Sequence, residues 1–185
     1  MDIYKQMLSS SKIMFALIST ILNTYKYSET GLALSFEEFD FVSLIKEITK
    51  ELTSYTNEEK DIVFNINTNS TLIVADKMHL RRVITNLLSN ALRYKKEGTP
   101  VFIELNSIKK SYQFSITNSG HHIKPQIQNE IFNKYASSAS KFNSVSTGLG
   151  LYLSNQIITE HEGKMFINST QDGINTFGFV IPKNQ

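Results

Sequence analysis

Two asparagines stand one helical turn apart in NLLSNALRY, residues 86–94, a stretch that otherwise reads as a half-buried helix. Asparagine is a mediocre helix former because its side chain competes for backbone hydrogen bonds, so Asn86 and Asn90 need a structural or a chemical reason. On a helical wheel they line up with Arg93 beside the apolar stripe. An amide oxygen suits Mg²⁺, which keeps phosphate oxygens in its shell, and an arginine could neutralise phosphate charge. The alternative is that both asparagines face solvent or cap neighbouring loops.

A second candidate is TGLGLYLSNQII, residues 147–158, where Gly148 and Gly150 precede an apolar-periodic helix. Glycines at a helix start let the backbone approach a ligand, and the free N–H groups attract phosphate. The hydroxyl of Thr147 adds a donor. The preceding Ser-rich residues 133–147 have no period, which predicts a mobile loop that could serve as a phosphate lid. A plain loop-to-helix junction is the alternative.

A third candidate is FSITNSGHHI, residues 114–123, which predicts a strand that ends at an amide and a glycine. The amide of Asn118 could pair with a heteroaromatic edge, and Gly120 would let a ring pack against the backbone. An ordinary Asn-Ser-Gly turn is the alternative. His121 and His122 are adjacent and have no acidic ligand beside them, which argues against zinc.

The elements that must position these residues follow from apolar periodicity and β-branched content. Predicted helices cover residues 4–28, a segment within 36–55 capped near Asp40, residues 76–95, and Leu149 to His161. Predicted strands cover residues 61–67, 71–75, 101–107, 112–118, 165–170 and 176–182, with a hairpin turn at 108–111. We therefore expect an α+β fold, a two-layer α/β sandwich whose mixed sheet is covered on one face by helices, preceded by a long N-terminal helix.

Composition excludes several classes of protein. A net charge of +2 over 185 residues, with isolated basic pairs, gives no indication of nucleic-acid binding. The absence of cysteine excludes a disulfide framework and a thiol nucleophile and is compatible with a reducing compartment. No apolar run approaches the roughly 18–20 residues that span a bilayer, and the N-terminus does not follow the signal-peptide pattern. The expected location is the cytoplasm, as a free protein or as the cytoplasmic part of a membrane-anchored one.

The order of these motifs resembles the ATP-binding domain of bacterial sensor histidine kinases, in the ATPase superfamily that includes gyrase, MutL and the heat-shock chaperone. LRRVITNLLSNALRY (80–94) resembles the N box, TNSGHHI (117–123) the G1 box, IFNKY (131–135) the F box and TGLGLYLS (147–154) the G2 box. Residues 5–48 are similar to the second helix of the dimerisation hairpin and its link to the ATPase domain. The implied domains are residues 1–31 for that helix and 32–185 for the ATP-binding domain.

This resemblance implies ATP and Mg²⁺ as cofactors. It implies that Asn90 binds the metal, that Asn86 and Arg93 approach the phosphates, and that Tyr94 packs near the base or sugar. Asn118 takes the adenine-recognising place, and Gly120 lets adenine lie against the strand end. The remaining implied binding residues are Ile123, Thr147, Gly148, Leu149, Gly150 and Leu151, with the glycine-containing turn cradling the phosphates under a lid of residues 134–147.

The implied activity is transfer of the ATP γ-phosphate to a histidine on the first helix of the hairpin. None of the histidines, His79, His121, His122 and His161, lies in the N-terminal helix, so the chain is expected to be a fragment or truncated form that uses a histidine delivered by another helix. Asn86 stands where relatives that hydrolyse ATP carry a glutamate, and an amide cannot act as a general base, so hydrolysis should be slow. The implied partners are that histidine helix, a response regulator and a second copy bound through the N-terminal helix.

Three positions depart from the usual pattern of this family. Asn118 stands where aspartate is commonest, His122 where a second glycine is usual, and Ser146 where the G2 box usually begins with glycine. Asparagine keeps an acceptor for the adenine amino group but loses the charge, which predicts a nucleotide affinity that is retained but weaker. These departures leave open a degenerate nucleotide-binding or interaction module without kinase activity. A serine kinase of the same fold is a separate alternative.

Overall fold

The computed structural model describes residues 32–54, 61–134 and 149–184. The predicted helix over residues 4–28 lies outside these ranges, as do Ser146, Thr147 and Gly148. The helices are α1 (Phe41–Thr53), α2 (Lys77–Tyr94), α3 (Pro125–Glu130) and α4 (Leu149–Glu160). The strands are β1 (Glu37–Asp40), β2 (Ile62–Asn67), β3 (Leu72–Ala75), β4 (Val101–Ile108), β5 (Ser111–Ser119), β6 (Lys164–Ser169) and β7 (Ile174–Pro182).

Five strands form one mixed sheet in the order β2-β4-β5-β7-β6. The β2–β4 pair is parallel and the other three pairs are antiparallel. The predicted hairpin is confirmed, because β4 and β5 pair from Val101 opposite Asn118 to Ile108 opposite Ser111. The predicted mixed sheet is thereby confirmed as well.

The N-terminal part of the predicted second helix is instead a strand. Residues 37–40 form β1, which pairs antiparallel with β3 in a separate two-stranded sheet. The helix prediction fails there because the pairing partner, residues 72–75, is distant in sequence and adds ladder hydrogen bonds that local periodicity does not reveal. The predicted cap is confirmed, since the Asp40 carboxylate accepts a hydrogen bond from Ser43 N at 2.6 Å and begins α1.

The core lies between one face of the five-stranded sheet and the helices, which confirms the two-layer prediction. On β5 the buried side chains alternate, with Tyr112, Phe114 and Ile116 directed to the helices. Phe41 of α1 packs on Phe114 at a ring-centroid distance of 6.0 Å, and Phe179 of β7 packs on Phe114 at 5.1 Å. Within the described ranges, none of the helices is long and apolar enough to cross a membrane.

Candidate functional site

Helix α2 carries the polar row that the sequence predicts. Its buried face includes Leu80, Val83, Leu87 and Ala91. Asn86 and Asn90 are half-buried on the flank of that face, and Arg93 is exposed. The Asp76 carboxylate accepts from His79 N at 2.9 Å and starts the helix at the predicted residue. The helix therefore presents two amides and a cation along one edge of the core.

Asn86 joins α2 to the first turns of α4. Its Nδ2 donates a hydrogen bond to Ser154 Oγ at 3.0 Å, and Ser154 Oγ donates to Gly150 O at 2.9 Å. A Cβ on Gly150 would lie 2.5 Å from Asn86 Oδ1, so only glycine permits this approach. The predicted chemical residues Asn86 and Gly150 are thus brought into contact, with a packing role that the sequence does not reveal.

Asn90, one turn further along α2, differs from Asn86. Its half-buried amide makes no hydrogen bond to any residue in the described ranges. An amide oxygen without a protein partner is available to a ligand. Tyr94, another turn along, has a side chain that is 44% exposed.

The end of β5 places an amide in the core-facing row. Asn118 follows Tyr112, Phe114 and Ile116 at the two-residue period, so its side chain points to the helix layer and is only 3% exposed. Its Nδ2 has no hydrogen-bond partner among the described residues. A buried donor without a partner costs stability, and such positions call for an explanation such as an absent ligand.

Gly120 brings the end of β5 against the C-terminal end of α2. A Cβ at this glycine would lie 2.7 Å from Tyr94 O and 3.1 Å from Asn118 Nδ2. Gly120 N donates to Gly173 O at 2.7 Å, and Lys96 N donates to Ser119 O at 2.7 Å. The glycine is required by this close backbone approach, which gathers three predicted site residues at one place.

The turn that follows is fixed to the β6–β7 connection. Ile123 N donates to Ser169 Oγ at 2.9 Å, and His122 Nδ1 lies 2.8 Å from Thr170 O. His122, where the family usually has glycine, therefore holds the turn through its side chain.

The start of α4 carries the described part of the predicted phosphate cradle. Leu149 is buried, and Gly150 and Leu151 are half-buried. An open groove of about 430 Å³ lies between α2 and α4 beside this turn. It is lined by Met78, Arg81, Arg82, Thr85, Asn86, Ser89, Gly150, Leu153 and Ser154.

Sequence reasoning missed a buried polar cluster at the base of α2. Asp76 N donates to His161 Nε2 at 3.0 Å, so this ring is neutral and its Nδ1–H donates to Ile157 O at 2.7 Å. Burial lowers the pKa of His161 below its ordinary value. Burial alone would raise the pKa of Asp76, but hydrogen bonds from the N–H groups of Ser35 and His79 outweigh it and lower that pKa. The cluster ties residues before β1 to the start of α2 and the end of α4.

The class of protein is shown by a match to a protein family. Residues 75–185 match the family described as histidine kinase-, DNA gyrase B-, and HSP90-like ATPase. The chain belongs to this family, which implies ATP use and confirms the resemblance to the ATP-binding domain of sensor histidine kinases.

The chain is also similar to named sensory kinases. The chain is 28% identical over 184 residues to the adaptive-response sensory kinase SasA of Microcystis aeruginosa, covering 98% of this chain and 48% of the relative. It is 31% identical over 187 residues to SasA of Gloeothece citriformis, and this match covers 98% of this chain and 47% of the relative. The chain thus spans about half the length of these curated relatives.

A solved structure shares the fold over almost all of the chain. Histidine kinase ThkA, solved in complex with the response regulator protein TrrA, has a TM-score of 0.74 and 26% identity. The match covers 94% of this chain and 49% of that one. The predicted fold class is confirmed by this likeness and by the sheet described above.

Proposed function

We propose that the chain is the ATP-binding catalytic part of a two-component sensor histidine kinase, transferring the ATP γ-phosphate to a histidine on another helix. The observation that carries this proposal is that α2 contacts the rest of the fold at two places along its length. Near its C-terminal end, the Tyr94 carbonyl lies against Gly120, which also lies beside the Asn118 amide, and two turns earlier Asn86 lies against Gly150. Eight residues of helix separate these contacts by about 12 Å, and Asn90 lies midway. This spacing supports a nucleotide lying along α2 with its base at β5 and its phosphates at α4.

The unbonded groups fit such a ligand. The buried amide of Asn118, whose Nδ2 has no partner among the described residues, is suited to the polar edge of a base, and Gly120 lies beside it. Tyr94 and Ile123 are proposed to contact the base as well. The exposed Arg93 is suited to phosphate charge, as are the N–H groups at the start of α4 around Leu149, Gly150 and Leu151. Thr147 and Gly148 complete this set in the proposal, although they lie outside the described ranges.

Asn90 is the proposed ligand of Mg²⁺. Its half-buried amide has no hydrogen bond in the described ranges, and an amide oxygen is a hard donor of the type that this ion takes. When bound, the metal would neutralise phosphate charge. The remaining work falls to protein groups that fix the nucleotide in line with an incoming imidazole.

Asn86 supports transfer over hydrolysis. An amide cannot remove a proton from water, and its donor is already committed to Ser154. The site therefore positions the phosphates without supplying a base at this residue, which suits an acceptor that is itself a nucleophile.

The proposed assembly follows the relatives. Residues 1–31 would be the second helix of a dimerisation hairpin, and residues 32–185 the ATP-binding domain. The partners would be the helix that carries the phosphoacceptor histidine, a second copy of the chain and a response regulator, as in the ThkA complex with TrrA. The proposed location is the cytoplasm.

The test is phosphotransfer to a supplied acceptor. The chain is incubated with radiolabelled Mg²⁺-ATP and a hairpin fragment that carries the acceptor histidine. Acid-labile, base-stable phosphate on the fragment is expected. Asn90→Ala should abolish it, whereas Asn67→Ala, a control at an exposed position of β2, should not. Acid-stable phosphate would indicate a hydroxyl acceptor, and hence the serine kinase. ATP binding is also measured with and without Mg²⁺. If the unmodified chain shows no metal-dependent ATP binding, or if Asn90→Ala binds equally well, the proposal is overturned in favour of a degenerate module.

A further inference from the structure

Two buried asparagines face each other at the end of the β5–β7 ladder and differ in their hydrogen bonds. Asn118 and Asn175 are register partners, with 3% and 4% of their surfaces exposed. Asn175 Nδ2 donates to His121 O at 3.0 Å, and its Oδ1 accepts from Ser169 Oγ at 2.6 Å. Asn118 makes no side-chain hydrogen bond to any residue in the described ranges, and its Nδ2 is buried. The fold fixes one amide and leaves its neighbour unbonded.

This difference determines which amide can be reversed. Turning the Asn175 amide by 180° would set its oxygen against the His121 carbonyl, an acceptor facing an acceptor. The Asn118 amide loses no hydrogen bond in either orientation. The backbone groups beside it are already engaged, since Ser119 O accepts from Lys96 N and Gly120 N donates to Gly173 O. Asn118 is therefore the group at this strand end that a ligand can orient.

We propose that Asn118 reads the purine edge in either sense, so that the nucleotide site accepts 6-oxopurine triphosphates such as ITP as well as ATP. This inference rests on the proposed function, because it requires the base to lie at the end of β5. Adenine offers a donor at N6 and an acceptor at N1, whereas hypoxanthine offers an acceptor at O6 and a donor at N1. One amide orientation satisfies the first pair and the reversed orientation satisfies the second, with two hydrogen bonds each.

The experiment compares ATP with ITP, which differ only at this edge. Dissociation constants of both Mg²⁺ complexes are measured by calorimetry on the full chain, on Asn118→Leu and on Asn67→Leu. The last makes the same chemical change at the exposed Asn67, at the end of β2, where Asn67 Nδ2 donates to the half-buried Asn106. Circular dichroism checks that each variant is folded.

In the unmodified chain we expect the two nucleotides to bind within about tenfold of each other, because the amide makes two hydrogen bonds to either base. Asn118→Leu should lower the affinity for both nucleotides by a similar factor, about tenfold or more. Asn67→Leu should leave both affinities unchanged. ITP binding more than about a hundredfold weaker than ATP overturns the inference and leaves the proposed function intact. The inference is also overturned if Asn118→Leu weakens the binding of ATP but not that of ITP. A chain that binds neither nucleotide contradicts the proposed function itself.

Discussion

Four asparagines lie on α2 or at the paired ends of β5 and β7, and they fall into two kinds. Asn86 and Asn175 are held by hydrogen bonds to Ser154, Ser169 and the His121 backbone. Asn90 and Asn118 have no side-chain hydrogen bond to the described residues. Each bonded asparagine lies beside an unbonded one, one turn away on α2 or directly across β5 and β7.

This contrast separates two uses of the same side chain. A bonded amide stabilises the fold, because removing it leaves its partners without a hydrogen bond. An unbonded, enclosed amide costs stability in the free protein and recovers that cost when a ligand supplies the partner. Substitutions at the two kinds of position should therefore move stability and ligand affinity in different ways.

The largest effect on stability is expected for Asn175→Leu. The change removes the acceptor of Ser169 Oγ and the donor to the His121 carbonyl, and it sets an apolar side chain among these polar groups. We expect the free energy of unfolding to fall by about 2–4 kcal/mol. Urea denaturation measures it, with Asn67→Leu as the control, for which a change within about 0.5 kcal/mol is expected. Asn67 is also hydrogen-bonded, to Asn106, but is exposed. Equal losses in both variants would therefore contradict the stabilising role given to the buried hydrogen bonds of Asn175.

A sign reversal is expected at Gly150. A Cβ there would meet Asn86 Oδ1 at 2.5 Å and displace it from Ser154, so Gly150→Ala should cost about 1–2 kcal/mol. In an Asn86→Ala background the obstacle is gone, and alanine in a helix is favoured over glycine by about 0.5–1 kcal/mol. The same substitution should then stabilise the protein. Thermal denaturation of the unmodified chain, the two single variants and the double variant gives the coupling energy between Gly150 and Asn86. Additive effects of the two substitutions would exclude the contact.

His161, in the buried polar cluster at the base of α2, predicts that the free energy of unfolding depends on pH. The folded-state pKa of His161 is lowered, so the unfolded chain takes up a proton first as the pH falls below about 6.5. Stability should be unaffected by this group above that pH and should fall by up to about 1.4 kcal/mol per unit below it, until the folded-state pKa is reached. Unfolding measured between pH 8 and 5, with His161→Gln as the comparison, checks this. An unchanged slope in the variant would assign the dependence to other groups.

The smallest effect on stability is expected for Asn118→Leu, in the opposite direction to Asn175→Leu. Replacing an unpartnered buried amide by an apolar group of similar size removes a desolvation cost, so the unfolding free energy should stay unchanged or rise by about 1 kcal/mol. Affinity for Mg²⁺-ATP should fall in the same protein. A destabilised variant that binds ATP normally would reverse the roles given to the two sheet asparagines.

Local patterns in the sequence were sufficient to predict most of the architecture. The strands and long helices were predicted because alternation and 3.6-residue periodicity record which face is buried. The polar row on α2 was visible for the same reason. The six-residue helix α3 was not predicted, and β1 was assigned to a helix because its partner β3 lies more than thirty residues away.

What the sequence could not predict are the long-range side-chain pairings. Asn86 and Asn90 are equivalent in the pattern, and only Ser154, 68 residues later, makes one of them structural. The bond from Asp76 N to His161 spans 85 residues. Composition and periodicity carry no information about such pairs, so which asparagines are hydrogen-bonded to other described residues emerges only from the folded chain.

The most direct test of the account is a crystal structure with a bound magnesium complex of a non-hydrolysable ATP analogue. We expect the metal on Asn90 Oδ1, the purine edge on Asn118, and the bonds of Asn86 and Asn175 unchanged. A nucleotide bound elsewhere, or one that contacts Asn86 and Asn175 while Asn90 and Asn118 face no ligand atom, would contradict it.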